Sequence, residues 1–255
     1  MLTSTLDLEV LVHVLGRLPR LGDPEGWGAS FGRELNATED ARHFVASSRR
    51  TAGLCPVVDG KHLDSFRLSG TPPARAISRE AAAALLDARS TFDRARVAYR
   101  DVASATNRFT LIAARLPRGV VSTHTVFCLK TPLDDSDQYC LLALLNSLVA
   151  NYLVRLQVTT HVTTALIARL PVPRPAADSD AYRTLISLAR TLERDGLANI
   201  SAYAELNALV ARLYGLTPRL FEHIVGTFPL LAPDVRTACI RVHEEASETQ
   251  RLREN

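Results

Sequence analysis

The sequence contains almost no lysine. Of its 30 basic residues only Lys61 and Lys130 are lysines, which leaves 28 arginines. Net charge is also scarce: 30 basic against 27 acidic residues gives +3, too little to mark a nucleic-acid-binding protein by itself. Arginine is still the better fork-shaped donor for phosphates and guanine edges, although a GC-rich coding sequence explains the same bias. Cys55, Cys128, Cys140 and Cys239 form no CxxC pair, which argues against a zinc site and for free, mostly buried thiols in a reducing cytoplasm. Long hydrophobic runs are missing. The longest uncharged stretch, Gln138 to Val154, contains Asn146, Ser147 and Asn151. It falls short of the roughly 20 apolar residues of a membrane span, so no membrane contact is expected. The first residues lack the basic region and apolar run of a signal peptide.

Catalytic motifs are missing as well. No Walker loop, HExxH or GxSxG occurs. Gly26-Trp27-Gly28 follows no clear strand and opens no clear helix, so it does not read as a cofactor loop. No Asn is followed by Pro, which excludes the Asn-Pro-Pro-aromatic motif of amino-methylating enzymes. Asp59-Gly60-Lys61 satisfies half of a metal-nuclease pattern, but no acidic partner on a neighbouring strand is evident, and a turn explains Asp-Gly equally well. The seven histidines show no ligand spacing, so neither a catalytic residue nor a metal site is assigned.

What is present is an α+β pattern. Apolar residues at helical spacing predict a helix over 5–17. Asp59-Gly60 between apolar arms predicts a β-hairpin, with Pro56 on an edge strand. A helix is expected over 79–97, then a second hairpin with arms 108–116 and 120–129 around Pro117-Arg118-Gly119. Leu141, Leu144, Leu145, Leu148, Tyr152 and Leu156 predict one central helix over 137–157, with Ser147, Asn151 and Arg155 along its other side. The proline cluster 170–175 marks a domain boundary. Beyond it, helices are expected over 181–194, 201–214, 218–226 and 233–253, with Thr217 as a cap and Pro218 at the first helical position. The reading is therefore a mixed hairpin-and-helix domain over 1–175 followed by a small helical subdomain over 176–255.

Three segments concentrate donors suited to DNA. Lys61-His62 follows the Asp-Gly turn, where a lysine reaches a phosphate as a point charge. Arg100, Thr106, Asn107, Arg108 and Thr110 fall within one polar stretch; arginine suits guanine and asparagine suits adenine in the major groove, and Asp101 is placed to hold one arginine. Arg155, His161 and Thr163 form a third strip. A solvated turn, a locally bonded polar loop and a Thr-rich strand account for the three just as simply.

Read together, these stretches resemble the TaqI-like C-terminal specificity (target-recognition) region of N6-adenine DNA methyltransferases, found in type IIG-like restriction–modification enzymes. The matching pieces begin with Trp27 and Phe31 to Asp40, then Val57 to Phe66 and Tyr99 to Pro117, the most specific of them. Leu141 to Arg155, His161 to Thr163, Leu170 to Pro173, Leu213 to Thr217 and Thr227 to Leu230 follow in the same order. Phe109 stands where the family often has another basic residue. The resemblance implies a DNA-recognition domain whose partners are double-stranded DNA and an N-terminal or separately encoded methyltransferase domain. S-adenosylmethionine is expected in that partner, and no cofactor in this chain. Chemistry on adenine requires the base to be taken out of the stack, while this region would hold the duplex and read base edges. Two other classes stay open: a helical protein-interaction module or degraded fragment without DNA contact, and a metal nuclease using Asp59 and Lys61.

Overall fold

The computed structural model describes residues 4–47, 53–86, 92–103, 107–158 and 160–254. Its first helix, α1 (Thr5–Val14), begins where Ser4 and Asp7 exchange side-chain-to-backbone hydrogen bonds, a capping box that satisfies two otherwise orphaned donors. A loop then leads through β1 (Phe31–Gly32) and β2 (Val45–Ala46) to β3 (Leu54–Val58), β4 (Arg75–Ser78) and α2 (Arg79–Leu85), which is capped by Ser78. After α2 come β5 (Arg96–Arg100), β6 (Ala113–Leu116), β7 (Val121–Ser122) and β8 (Val126–Leu129). The rest is helical: α3 (Asp135–Leu145), α4 (Leu148–Arg155), α5 (Thr164–Ala168), α6 (Asp180–Asp195), α7 (Ile200–Leu213), α8 (Pro218–Gly226) and α9 (Pro233–Glu254).

The fold is α+β, with two four-stranded sheets among the described residues, in the orders β1-β8-β5-β6 and β2-β4-β3-β7. This arrangement corrects both expected hairpins. Asp59-Gly60 is no hairpin turn; it opens a 3-10 turn, Gly60–His62, and β3 pairs with β4 and, in parallel, with β7. Pro56 therefore sits in an inner strand. It is tolerated because the β7 ladder starts only at Val57, so on that side no donor is required of it. Likewise β6 and β7 do not pair, although Gly119 does turn the chain at positive φ between them. β6 pairs with β5 and β7 joins the other sheet. The helix expected over 79–97 is short: α2 ends at Leu85, and residues from Arg96 form a strand buried from Arg96 to Tyr99.

One ion pair stitches the sheets together. Arg96, at the start of β5, donates from Nε and Nη2 to the two carboxylate oxygens of Glu34 at 2.8 and 2.7 Å. Glu34 also accepts from the N–H and hydroxyl of Ser122 in β7, at 2.8 and 2.9 Å. Both charged side chains are fully buried. Their pairing and extra hydrogen bonds offset the cost of removing two ions from water.

The expected central helix is broken. α3 stops at Leu145, and α4 starts after Ser147, whose hydroxyl caps it by accepting the Ala150 N–H. Leu148 N–H donates to the buried Asn207 side chain of α7 at 2.7 Å, so the break is satisfied from the tail helices. The four tail helices run close to the expected ranges, and Thr217 caps α8 with Pro218 at its first position. The largest apolar core joins α1 and Trp27 to the β5 sheet, to α3 and α4 and to residues from α6 through α9. The proline cluster at 170–173 is buried: Trp27 Nε1 donates to Pro173 O and the Tyr214 hydroxyl to Pro171 O. Gly26-Trp27-Gly28 thus builds core. All four cysteines are free and buried, and among the described residues no helix is long and apolar enough to cross a membrane.

Candidate nucleic-acid interface

β5 ends at Arg100 and β6 begins at Ala113, and the described part of the connection between them is held by side chains from the broken helix pair. Asn146 donates to Ala113 O and accepts the Ala113 N–H at 2.9 and 3.1 Å. Asn151 Oδ1 accepts the N–H groups of Thr110 and Leu111 at 3.0 and 2.8 Å. Arg155, at the end of α4, donates to the carbonyls of Asn107 and Arg108 at 2.9 and 3.1 Å and to the Thr110 hydroxyl at 3.1 Å. Its remaining nitrogen donates to Thr227 O at 2.8 Å, and its guanidinium lies 4.1 Å from the Phe228 ring centre. Burial lowers the Arg155 pKa, yet an arginine stays charged at neutral pH.

This anchoring sorts the predicted residues. Asn107 and Arg108 are exposed, while Phe109 and Thr110 are buried beneath them. Arg108 crosses the face of the Phe109 ring, 5.1 Å from its centre. Among the described residues neither Arg108 nor Arg100 pairs with a carboxylate. Together with Arg67 they line an open cleft of about 770 Å³ whose opposite wall is the α6–α7 junction and the start of α9. The arginines outnumber the two aspartates in the lining, Asp64 and Asp234. Arg67 is presented there by a strained turn: Phe66 adopts φ 73°, its ring buried edge-on to Tyr203 and its N–H donating to Ala113 O. A non-glycine residue in the left-handed region costs on the order of 1 kcal/mol, which the buried ring offsets.

The other predicted residues are placed as follows. Lys61 is exposed on the 3-10 turn, but His62 is buried and accepts the Asp59 N–H through Nδ1 at 2.9 Å. Asp59 is engaged by both Arg75, at 2.8 and 2.9 Å, and Thr123, at 2.7 Å. Burial opposes ionisation of Asp59, but these hydrogen bonds and the Arg75 charge outweigh it and hold its carboxyl below the ordinary range. Asp101 holds Arg33, not Arg100, at 2.9 Å, and also faces His161 Nδ1 at 3.2 Å. His161 is exposed and paired through its backbone with Val102. Thr163 is exposed and caps α5. Thr106 lies outside the described residues. The structure therefore gathers Arg100, Asn107 and Arg108 on one rim, with Lys61 and His161 alongside, and sets Thr110 and Arg155 behind it.

The sequence reading missed Arg67, Arg33 and His124. Each reaches this face through long-range pairing, and no local pattern announces it.

No protein-family model matches the chain, and no curated protein does. Among solved structures, part of the type IIL restriction–modification enzyme MmeI, determined in complex with DNA, is similar in fold: TM-score 0.55, with 11% identity, over 83% of this chain and 36% of that one. The chain shares the fold of that part of MmeI. At this identity the likeness concerns fold alone, and this chain spans little more than a third of the MmeI chain. A structure from work on a type I restriction–modification system aligns more loosely, with TM-score 0.34 and 13% identity over 86% of this chain and 51% of that one.

Proposed function

We propose that this chain is a DNA target-recognition region that serves an adenine-specific methyltransferase of the restriction–modification kind, as its resemblance to the TaqI-like specificity region implies. Methyl transfer and S-adenosylmethionine binding belong to a separate catalytic domain. The observation that carries the reading is the Asn107–Arg108 pair, exposed at a cleft rim while Arg155 grips its carbonyls from behind and Asn151 holds the N–H groups of Thr110 and Leu111 just after it. Arginine and asparagine are the side chains that make two-point contacts to guanine and adenine edges, and each such contact discriminates by about 1–3 kcal/mol. Contacts of Lys61 with phosphates would set register without reading sequence. Thr110 and Arg155 support the reading segment from beneath.

The test is selection of preferred duplexes from a randomised pool by the purified chain, followed by binding measurements on the winner and on unrelated DNA. A preferred sequence, lost on Arg108→Ala while weak general binding persists, is the expected result. Absence of any duplex binding up to about 100 μM at low salt, the weak end of non-specific affinity, would overturn the proposal.

A second reading, a protein-interaction module, is favoured by one observation. Leu8, Val12 and Leu15 form an exposed apolar row on and just beyond α1, spaced four and three residues apart. It predicts no DNA binding at all.

A further inference from the structure

We infer that a second depression beside the cleft, rimmed by Lys61, Arg100 and His124, is a phosphate-gripping site. This inference deepens the target-recognition reading and rests on it for the source of the phosphate. The depression has a volume of about 310 Å³ and shares Arg100 with the larger cleft, so one arginine stands on the saddle between them.

The donor on His124 is fixed by its surroundings. Ala37 N–H donates to His124 Nδ1 at 3.2 Å, which requires a lone pair on that nitrogen. The ring proton therefore sits on Nε2, which becomes an N–H donor with no acceptor among the described residues. The charges point the same way. Asp59, which lines the hollow, is already engaged by Arg75 and Thr123, and nearby Asp101 by Arg33 and His161. Lys61 and Arg100 have no carboxylate partner among the described residues and remain as surplus positive charge at the rim.

The three donors are also held together. Thr125 accepts the Gly60 N–H on its hydroxyl at 2.9 Å and the Asp101 N–H on its carbonyl at 3.0 Å. It thus ties the turn bearing Lys61 to the strand end bearing Arg100, beside its own neighbour His124. Gly60 approaches so closely that a β-carbon there would lie 3.2 Å from Thr125 O, which leaves that turn little room to shift. A compact ammonium, a forked guanidinium and a neutral ring N–H around one hollow suit the several acceptor oxygens of a phosphate. The group is either a phosphodiester of duplex DNA or a free phosphate, and the same donors serve both.

The experiment compares wild type, Lys61→Ala and His124→Asn, the last keeping an acceptor for Ala37 while removing the distal N–H. Each is titrated with a 30-base-pair duplex of random sequence across a salt series, and inorganic phosphate is titrated into the labelled wild type while the His124 ring and Gly60 amide signals are followed by NMR. Both variants should bind the duplex several-fold more weakly, and Lys61→Ala should flatten the log K–log salt slope by about one. Duplex binding at wild-type strength and slope in both variants overturns the inference and leaves the recognition reading standing. If wild type binds no duplex but phosphate shifts the His124 signals, the recognition reading falls and the anion site stands on free phosphate. If neither ligand binds, both fall.

Discussion

Asn151 accepts the backbone N–H of Leu111 on a side-chain oxygen that also takes the N–H of Thr110. One amide on a helix thus terminates two donors of a segment some forty residues away, in a place water does not reach. Such donors cost about 1–3 kcal/mol each when left without a partner. Asn151→Ala should therefore lower unfolding free energy by about 2–4 kcal/mol, measured by urea denaturation. A loss below about 0.5 kcal/mol, the scale of ordinary surface changes, would mean the segment finds other partners.

The Glu34–Arg96 pair makes a sharper demand. Removing one partner leaves a buried charge alone, so Arg96→Ala should cost about 3–5 kcal/mol. The double variant Glu34→Leu/Arg96→Met removes both charges and should be less damaging than either single change. Denaturation midpoints of the three variants check this. A double variant as unstable as the sum of the singles would show that the pair does not act as a unit.

His243 gives the stability a pH dependence. It is buried on α9 with its ring edge-on to Phe221 of α8, its Nδ1 unpartnered and its Nε2 beside Leu216 O, and burial lowers its pKa despite the Leu216 and Ala208 backbone; the Arg212 charge adds to the lowering. The unfolded chain then binds the proton first as pH falls. Stability contributed by this group is flat above about pH 6.5 and declines below it, down to the folded pKa, by at most about 1.4 kcal/mol per pH unit. Unfolding free energies of wild type and His243→Leu between pH 5 and 8 test the sign. A variant whose slope below pH 6.5 equals that of wild type would exonerate His243.

The thiols should be silent in the native protein. Burial raises the pKa of all four, pushing Cys128 and Cys239 up to about 12. A thiol reagent at pH 8 should modify them only at the rate of unfolding, because the thiolate is the reactive form. Fast modification of a single cysteine would reveal local opening there.

The helical half of the fold was legible in sequence because caps and apolar periodicity are local. Thr217-Pro218 and the 180–254 pattern specify their elements with no help from elsewhere. The strand half was not, because pairing is a long-range choice. Asp59-Gly60 has the composition of a hairpin turn, but Val57 and Val58 find β7 sixty residues on, and the turn folds into a 3-10 element instead. The helix break at Asn146-Ser147 was hidden for a related reason. Both residues sit inside an apolar run of good periodicity, and only the contacts with Ala113 and Asn207 make a break cheaper than a continuous helix. At the site, the chemistry of Arg100, Asn107 and Arg108 was readable, whereas the division between exposed tips and buried anchors was not. Residue type says what a side chain can bond, and says nothing of which way it faces.

Arg155 bonds the main-chain carbonyls of Asn107 and Arg108, and Asn151 the main-chain N–H groups of Thr110 and Leu111, so neither anchor touches what the two tips carry. Exchange of these two side chains would leave the carbonyls that Arg155 grips in place. The architecture is that of a fixed socket with replaceable bits, in which a new preference could be tried by swapping two residues without rebuilding the frame.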